Sequence, residues 1–160
     1  MHVSRLMRTA PDQNKVLDTP DASAYRDAMA PRPCVSLTTF GYSRHAVPDA
    51  DLTVDLRPIR NPHRDRRNRG LTGDDLRVRT EVMTHPHAIV ELARVLTWIE
   101  ARTLPTTDDW TLYVAIGCSW GVHRSRAFAA TLAEALATRG YDVAVTHLAD
   151  RRAPNAPNPS

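Results

Sequence analysis

At 160 residues, 42% of them hydrophobic, the chain has room for one domain with a single core. It has no run of about 20 apolar residues and no apolar stretch of signal-peptide length at its start, so neither a membrane span nor secretion is expected, and a cytoplasmic location is. The net charge of +3 rests on 20 Arg and one Lys, and the two cysteines, Cys34 and Cys118, fit neither a disulfide in that compartment nor zinc-ligand spacing, so no metal and no cofactor is expected.

Residues 1–33 mix Pro, Asp, Arg and Ala with no sustained period and read as a flexible leader, with room for a short helix at 22–29 before Pro31 and Pro33. The folded domain is expected over 34–150. Residues 35–40 alternate apolar and polar, as a strand does, and Gly41 ends the run. A second strand over 52–57 puts Leu52, Val54 and Leu56 on one face and Thr53, Asp55 and Arg57 on the other. Pro58 ends it. An Arg-rich loop runs from Asn61 to Gly73, and Asp74 is placed to cap a short helix ending near Thr84.

Pro86 opens the most periodic helix, 87–102, with Ile89, Leu92, Ala93, Leu96 and Ile99 in a stripe that Val95 and Trp98 widen. Trp98 and Trp110 are read as core. A third strand over 111–116 leads through a polar loop into a helix over 124–139, where Phe128, Leu132 and Leu136 recur every four residues and Gly140 suits the position past the end. A last strand covers 142–147, and the Pro/Asn tail 151–160 has nothing to bury. The final strand, helix and strand suggest a parallel, right-handed unit. The expected class is α/β: a small, mainly parallel sheet of about four strands with helices packed against it.

Ligands of such sheets sit beyond the carboxyl ends of the strands. If the second and third strands are neighbours, one pocket gathers Asp55, Arg57, His63, Cys118, His123 and Arg124. The loop of residues 117–125 sits at a strand-to-helix turn. Gly117 and Gly121 allow a sharp bend, and the loop N–H groups, with those of Ser119 and Trp120, face the helix start, where an anion is stabilised. His123 and Arg124 add side-chain donors, Arg124 as a fork for phosphate. Between Arg57 and Arg79 there are eight Arg against three acids, an excess that attracts polyanions and serves equally well as a solvated loop.

The loop also spells Cys118-x-x-Gly121-x-x-Arg124-Ser125, the pattern of cysteine-dependent phosphatases. In that chemistry the Cys118 thiolate attacks phosphorus, Arg124 and the loop amides hold the oxygens, and Ser125 helps the thiolate leave. Asp55 or Asp65 would protonate the leaving group. The alternatives are phosphate binding with no chemistry, and Cys118 as a small apolar residue after a buried strand.

Six segments occur in one order: Thr39-Phe-Gly-Tyr42, Asp49-Ala-Asp51, Val54-Asp-Leu-Arg57, Asn61-Pro-His63, Leu71-Thr-Gly73, and Val114 through Ser125. In them the chain resembles the C-terminal domain of the RNase adapter protein RapZ family, over about residues 35–147. The resemblance implies a non-catalytic, oligomerising module that binds small RNA and senses an amino-sugar phosphate, glucosamine-6-phosphate. By motif match its sensing pocket maps to Asp55, Arg57, His63, Cys118, Ser119, Gly121, His123 and Arg124.

The chain departs from the family pattern in several places. It has no Gly-x4-Gly-Lys-Ser/Thr loop, so no ATP site is expected. Trp120 stands where the family has a small residue, placed to stack on a sugar or to narrow the pocket. Val122 replaces a Lys, and an Arg expected near Thr84 or His85 is missing. The family's basic tail is reduced to Arg151 and Arg152. Asp55 could bind sugar hydroxyls or pair with Arg57 or Arg124. His85, His87 and His147 have no evident partner. The expected ligand is a phosphorylated small molecule. A small RNA, met by Arg64, Arg66, Arg67, Arg69, Arg151 and Arg152, or a protein partner is expected beside it, and so is a homo-oligomer.

Overall fold

The computed structural model describes residues 33–102 and 111–149. The expected leader up to residue 32 with its helix, Trp110, and the tail with Arg151 and Arg152 lie outside the described residues. Four strands, β1 (Cys34–Gly41), β2 (Leu52–Asp55), β3 (Thr111–Cys118) and β4 (Asp142–His147), form one sheet in the order β2-β3-β1-β4. All three pairings are parallel. Among the described residues there are three α-helices, α1 (Leu76–Met83), α2 (Pro86–Arg102) and α3 (Arg124–Thr138).

Period-two alternation builds the sheet. Val35 and Leu37 of β1, Val54 of β2, and Leu112, Val114 and Ile116 of β3 point to one face and are buried. They share a core with Val78 and Val82 of α1, Val95 and Ile99 of α2, and Phe128, Leu132 and Leu136 of α3. Each such side chain contributes about 1.5–3 kcal/mol by leaving water. The spacing of Phe128, Leu132 and Leu136 works as expected, and Gly140 sits past α3 with φ 87°.

Several expectations are refined or corrected. The strands of the expected parallel unit, β3 and β4, have β1 between them, which pairs with both. β1 has no exposed residue, as suits an inner strand, while β4 is largely exposed and takes the edge. β3 runs two residues further than expected, through Gly117 and Cys118, which pair with Phe40 and Gly41. There Gly117 serves close packing, because a Cβ would meet the Phe40 and Tyr42 rings at 2.6 and 2.5 Å.

Asp75, not Asp74, precedes α1, and its carboxylate accepts from the Thr72 backbone N–H at 2.6 Å rather than capping the helix. In α2 the buried stripe is Ala88, Val95 and Ile99, with Leu92 half-buried. Ile89 is 55% exposed and Ala93 is exposed too. The two stripes share Leu92, Leu96 and Ile99, and Val95 and Trp98, which widened the expected stripe, also pack in or on the core, so spacing alone left open only which flank turns inward. Trp98 is half-buried, with the Arg102 guanidinium 3.8 Å above its ring.

The carboxyl ends of the inner strands are tied by backbone bonds. Leu56 N–H donates to Gly117 O at 2.8 Å, Tyr42 N–H to Cys118 O at 3.0 Å, and Ser43 N–H to Ser119 O at 3.0 Å. The chain segments leaving β1, β2 and β3 are thereby held together, and the site lies among them. Among the described residues no helix is long and apolar enough to cross a membrane.

Candidate anion-binding cleft

Residues 119–123 carry the chain from β3 into α3. Gly121 has φ 75°, and a Cβ there would lie 2.8 Å from Ala149 Cβ and 2.9 Å from Gly41 N, so both conformation and space call for glycine. His123 precedes α3 but makes no side-chain bond to its first-turn amides. Its Nε2 lies 3.0 Å from the Leu71 carbonyl oxygen instead. The first turn of α3 contains no acid and carries Arg124 and Arg126. The positive end of the helix dipole thus lacks a side-chain cap, an arrangement that favours an anion, while the Asp74 carboxylate beside the first turn is paired with Arg126.

Arg124 is only 4% exposed. Its Nη1 donates to the carbonyls of Leu56, Arg57 and Ile59 at 3.3, 3.0 and 2.7 Å, and its Nη2 to Ser119 Oγ at 2.9 Å. Nε is buried with no hydrogen-bond partner. The open two-pronged fork expected from the sequence is therefore not what the fold presents. Most of the fork holds the turn after β2, leaving Nε–H and one Nη2 hydrogen. Among the described residues no carboxylate forms a salt bridge with this buried cation.

A cleft of about 450 Å³ opens beside it. Arg57, Pro58, Ile59, Arg60, Asn61 and Arg64 line one part, and Ser119, Trp120 and Arg124 another. His85, at the α1–α2 junction, completes the lining, which contains no acid. Arg57 is held by Asp55, with Nε 3.0 Å from both carboxylate oxygens and Nη2 2.6 Å from Oδ2, and it lies 3.8 Å over the Tyr42 ring. The hydrogen bonds from Arg57 hold the Asp55 carboxyl below the usual range, although partial burial opposes them. Burial, with Asp55 adding to it, raises the Tyr42 phenol. Trp120 is 51% exposed, with Arg44 5.0 Å from its ring centroid.

Five of the residues picked out from the sequence line the cleft: Arg57, Arg64, Ser119, Trp120 and Arg124. Asp55, His63, Gly117, Cys118, Gly121, His123 and Ser125 do not. The His63 and His123 rings face each other at 5.3 Å. Cys118 is 2% exposed and belongs to the core, where its Sγ lies 3.3 Å from Ser125 Oγ and accepts the Gly121 N–H at 3.3 Å. Asp65 is bound to Arg67, whose hydrogen bonds lower its pKa to about 2. Arg66 and Arg69 are exposed.

Arg60, Asn61 and His85 also line the cleft. Arg60 and Asn61 were inside the Arg-rich run, and Pro58 gave the signal that the chain turns there. His85 carried no signal of its own; only the family comparison drew attention to its position. His147, expected to lack a partner, places Nδ1 2.7 Å from Thr39 Oγ1.

Comparison with known proteins supplies a family. A family model described as the RapZ C-terminal domain matches residues 33–150. A "nucleotide-binding protein" of Heliobacterium modesticaldum is 32% identical over 147 residues, 84% of this chain and 49% of that protein. Another, of Rhodospirillum centenum, is 42% identical over 131 residues, 79% of this chain and 39% of that protein. A third, of Symbiobacterium thermophilum, is 37% identical over 125 residues, 76% of this chain and 41% of that protein. The chain thus spans half or less of the length of these relatives.

Proposed function

The chain belongs to the RapZ C-terminal domain family, and from that premise we propose that it is a non-catalytic regulatory module whose cleft captures a phosphorylated small molecule, a phosphosugar. The observation that carries this reading is Arg124. It is a buried cation that forms no salt bridge among the described residues and has Asp55 acting on it only through space, set at an uncapped helix start. A buried charge with no carboxylate in contact is costly, and an incoming phosphoryl group offsets that cost. The half-exposed Trp120 ring at the cleft offers an apolar face to a sugar. The non-catalytic part is supported by Cys118, which is enclosed in the core and absent from the cleft lining. Both acids considered for proton transfer are bound to arginines.

Thermal shift with phosphate and hexose phosphates tests the reading. Stabilisation is expected, and its absence with every phosphorylated compound defeats it. Neither the wild type nor Cys118→Ser should turn over a generic phosphate ester; turnover abolished by the substitution would restore the phosphatase. A second role, contact with RNA phosphates, is favoured by the exposed Arg66 and Arg69 on the same segment as Arg64. Retention in a gel shift should fall steeply with salt, and absent or salt-independent retention removes this role.

A further inference from the structure

We propose that His85 contacts the phosphoryl group held in the cleft through its Nε2–H, and that it takes up a proton in doing so at the expense of its hold on the start of α2. The inference rests on the phosphate-binding reading above. His85 stands between two helices: its N–H donates to the Val82 carbonyl of α1 at 3.2 Å, and α2 begins at the next residue. Pro86 has no N–H to satisfy. The next three amides of α2 all end on His85. The Ala88 and Ile89 N–H groups donate to its carbonyl oxygen at 2.9 and 3.2 Å, and the His87 N–H donates to its ring at Nδ1, 3.2 Å away. A histidine thus fills the capping role that Ser, Thr, Asp or Asn usually fills.

That bond fixes the tautomer. A ring nitrogen that accepts a hydrogen bond carries no proton, so the neutral ring keeps its proton on Nε2. Among the described residues Nε2–H has no hydrogen-bond partner, and His85 lines the cleft. The charged groups that line it with His85 are Arg57, Arg60 and Arg64 from the segment after β2 and Arg124 from α3, with no acid. Glu81, one turn back on α1, accepts from Asn68 Nδ2 at 2.6 Å. The His63 and His123 rings face each other at 5.3 Å and, like His87, are not part of the lining. Without an anion, four guanidinium groups and the His87 N–H all oppose a second proton on the ring. A phosphoryl group of about −1.5 to −2 favours one. The proton comes from water and can go only to Nδ1, so the His87 N–H is released to solvent while Ala88 and Ile89 keep their partner. An imidazole changes charge between about pH 5 and 8, so affinity is highest at the acid end of that range and falls as pH rises.

Sulfate is the probe, because it stays a dianion across this range, whereas a phosphate ester itself titrates near about pH 6. In calorimetry on the full chain, sulfate should bind about threefold or more tightly at about pH 5.5 than at about pH 8, with net proton uptake when buffers of different ionisation heat are compared. His85→Asn keeps a capping acceptor but takes up no proton, so its sulfate affinity should be flat with pH. His87→Gln removes a neighbouring ring outside the cleft and should keep the slope. Nitrogen-15 NMR reads the ring itself. In the free protein at about pH 8, His85 should carry its proton on Nε2; at about pH 7, sulfate should raise its protonated fraction and speed exchange of the His87 amide. Sulfate binding that is flat with pH, or a slope that survives His85→Asn, overturns this inference and leaves the cleft reading standing. So does a neutral ring protonated on Nδ1, or His87 exchange that sulfate leaves unchanged. Failure of both sulfate and a hexose 6-phosphate to bind at any pH overturns the cleft reading and this inference with it.

Discussion

Arg124 and Arg126 stand two residues apart in the first turn of α3, and both are nearly buried, at 4% and 9% exposed. Their surroundings differ. Arg126 donates to the Asp74 carboxylate at 2.8 Å and to the Ala149 carbonyl at 2.9 Å, so its charge is answered within the protein. Arg124 hydrogen-bonds only neutral oxygens, and Asp55 acts on it through space alone. The identity and burial of a residue therefore do not say whether it is structural; the charge on its partners does.

The largest effect should separate the two in opposite readouts. Arg126→Met should cost about 2 kcal/mol, the scale of a charged hydrogen bond, and lower the melting temperature by several degrees while leaving phosphate affinity within threefold. Arg124→Met should leave the phosphate-free protein within about 1 kcal/mol of wild type, because the lost carbonyl contacts are offset by removal of a buried charge. It should weaken phosphate binding roughly 10–100-fold, the worth of about 1.5–3 kcal/mol. Equal affinity losses in both variants would erase the distinction.

A smaller effect concerns Asp55. Its folded pKa is depressed by Arg57, so its stabilising contribution is present above the unfolded value of about 3.9 and is lost as pH falls from there through the lowered value. Because the pair is partly exposed, that contribution stays below about 1 kcal/mol. Asp55→Asn should flatten acid unfolding slightly below about pH 4 in a denaturation series. It also releases the Arg57 charge beside the cleft, so inorganic phosphate should bind up to threefold more tightly. Weaker binding of a hexose phosphate alone would instead place Asp55 against the sugar.

The smallest effect is on Asp65, whose pKa of about 2 is set first by the Arg67 hydrogen bonds. In an NMR titration, Arg67→Ala should raise this carboxyl part of the way toward the ordinary range, since the residue-67 backbone N–H still donates to it, without altering phosphate affinity.

Much of this was legible in the residues. Alternation gave β1 and β2, the four-residue spacing gave the buried face of α3, and the glycine-bearing turn is the one that brings Ser119 and Trp120 to the cleft. Strand order was not legible. Whether β1 lies inside or outside β3 and β4 depends on burial of both of its edges, a long-range property that no local pattern encodes. The Arg-rich run read as one cationic stretch, but the fold divides it. Asp-x-Arg pairs engage Arg57 and Arg67, while Arg57, Arg60 and Arg64 line the cleft and Arg66, Arg67 and Arg69 do not. Arg124 was picked out from the loop motif, and the fold buries it at the edge of the cleft. The direction of its fork depends on three carbonyls of a turn 65–68 positions earlier in the chain, which no spacing rule reaches.

That grip on Leu56, Arg57 and Ile59 has a kinetic consequence. The turn bearing Arg57, Arg60 and Asn61 is already held before a ligand arrives, with Leu56 also bonded to β3. A ligand entering the cleft meets a wall that does not have to be assembled, so little ordering entropy is lost on binding. Association should then proceed in a single phase whose rate rises in proportion to ligand concentration and falls with added salt, as encounter with a fixed cationic surface does.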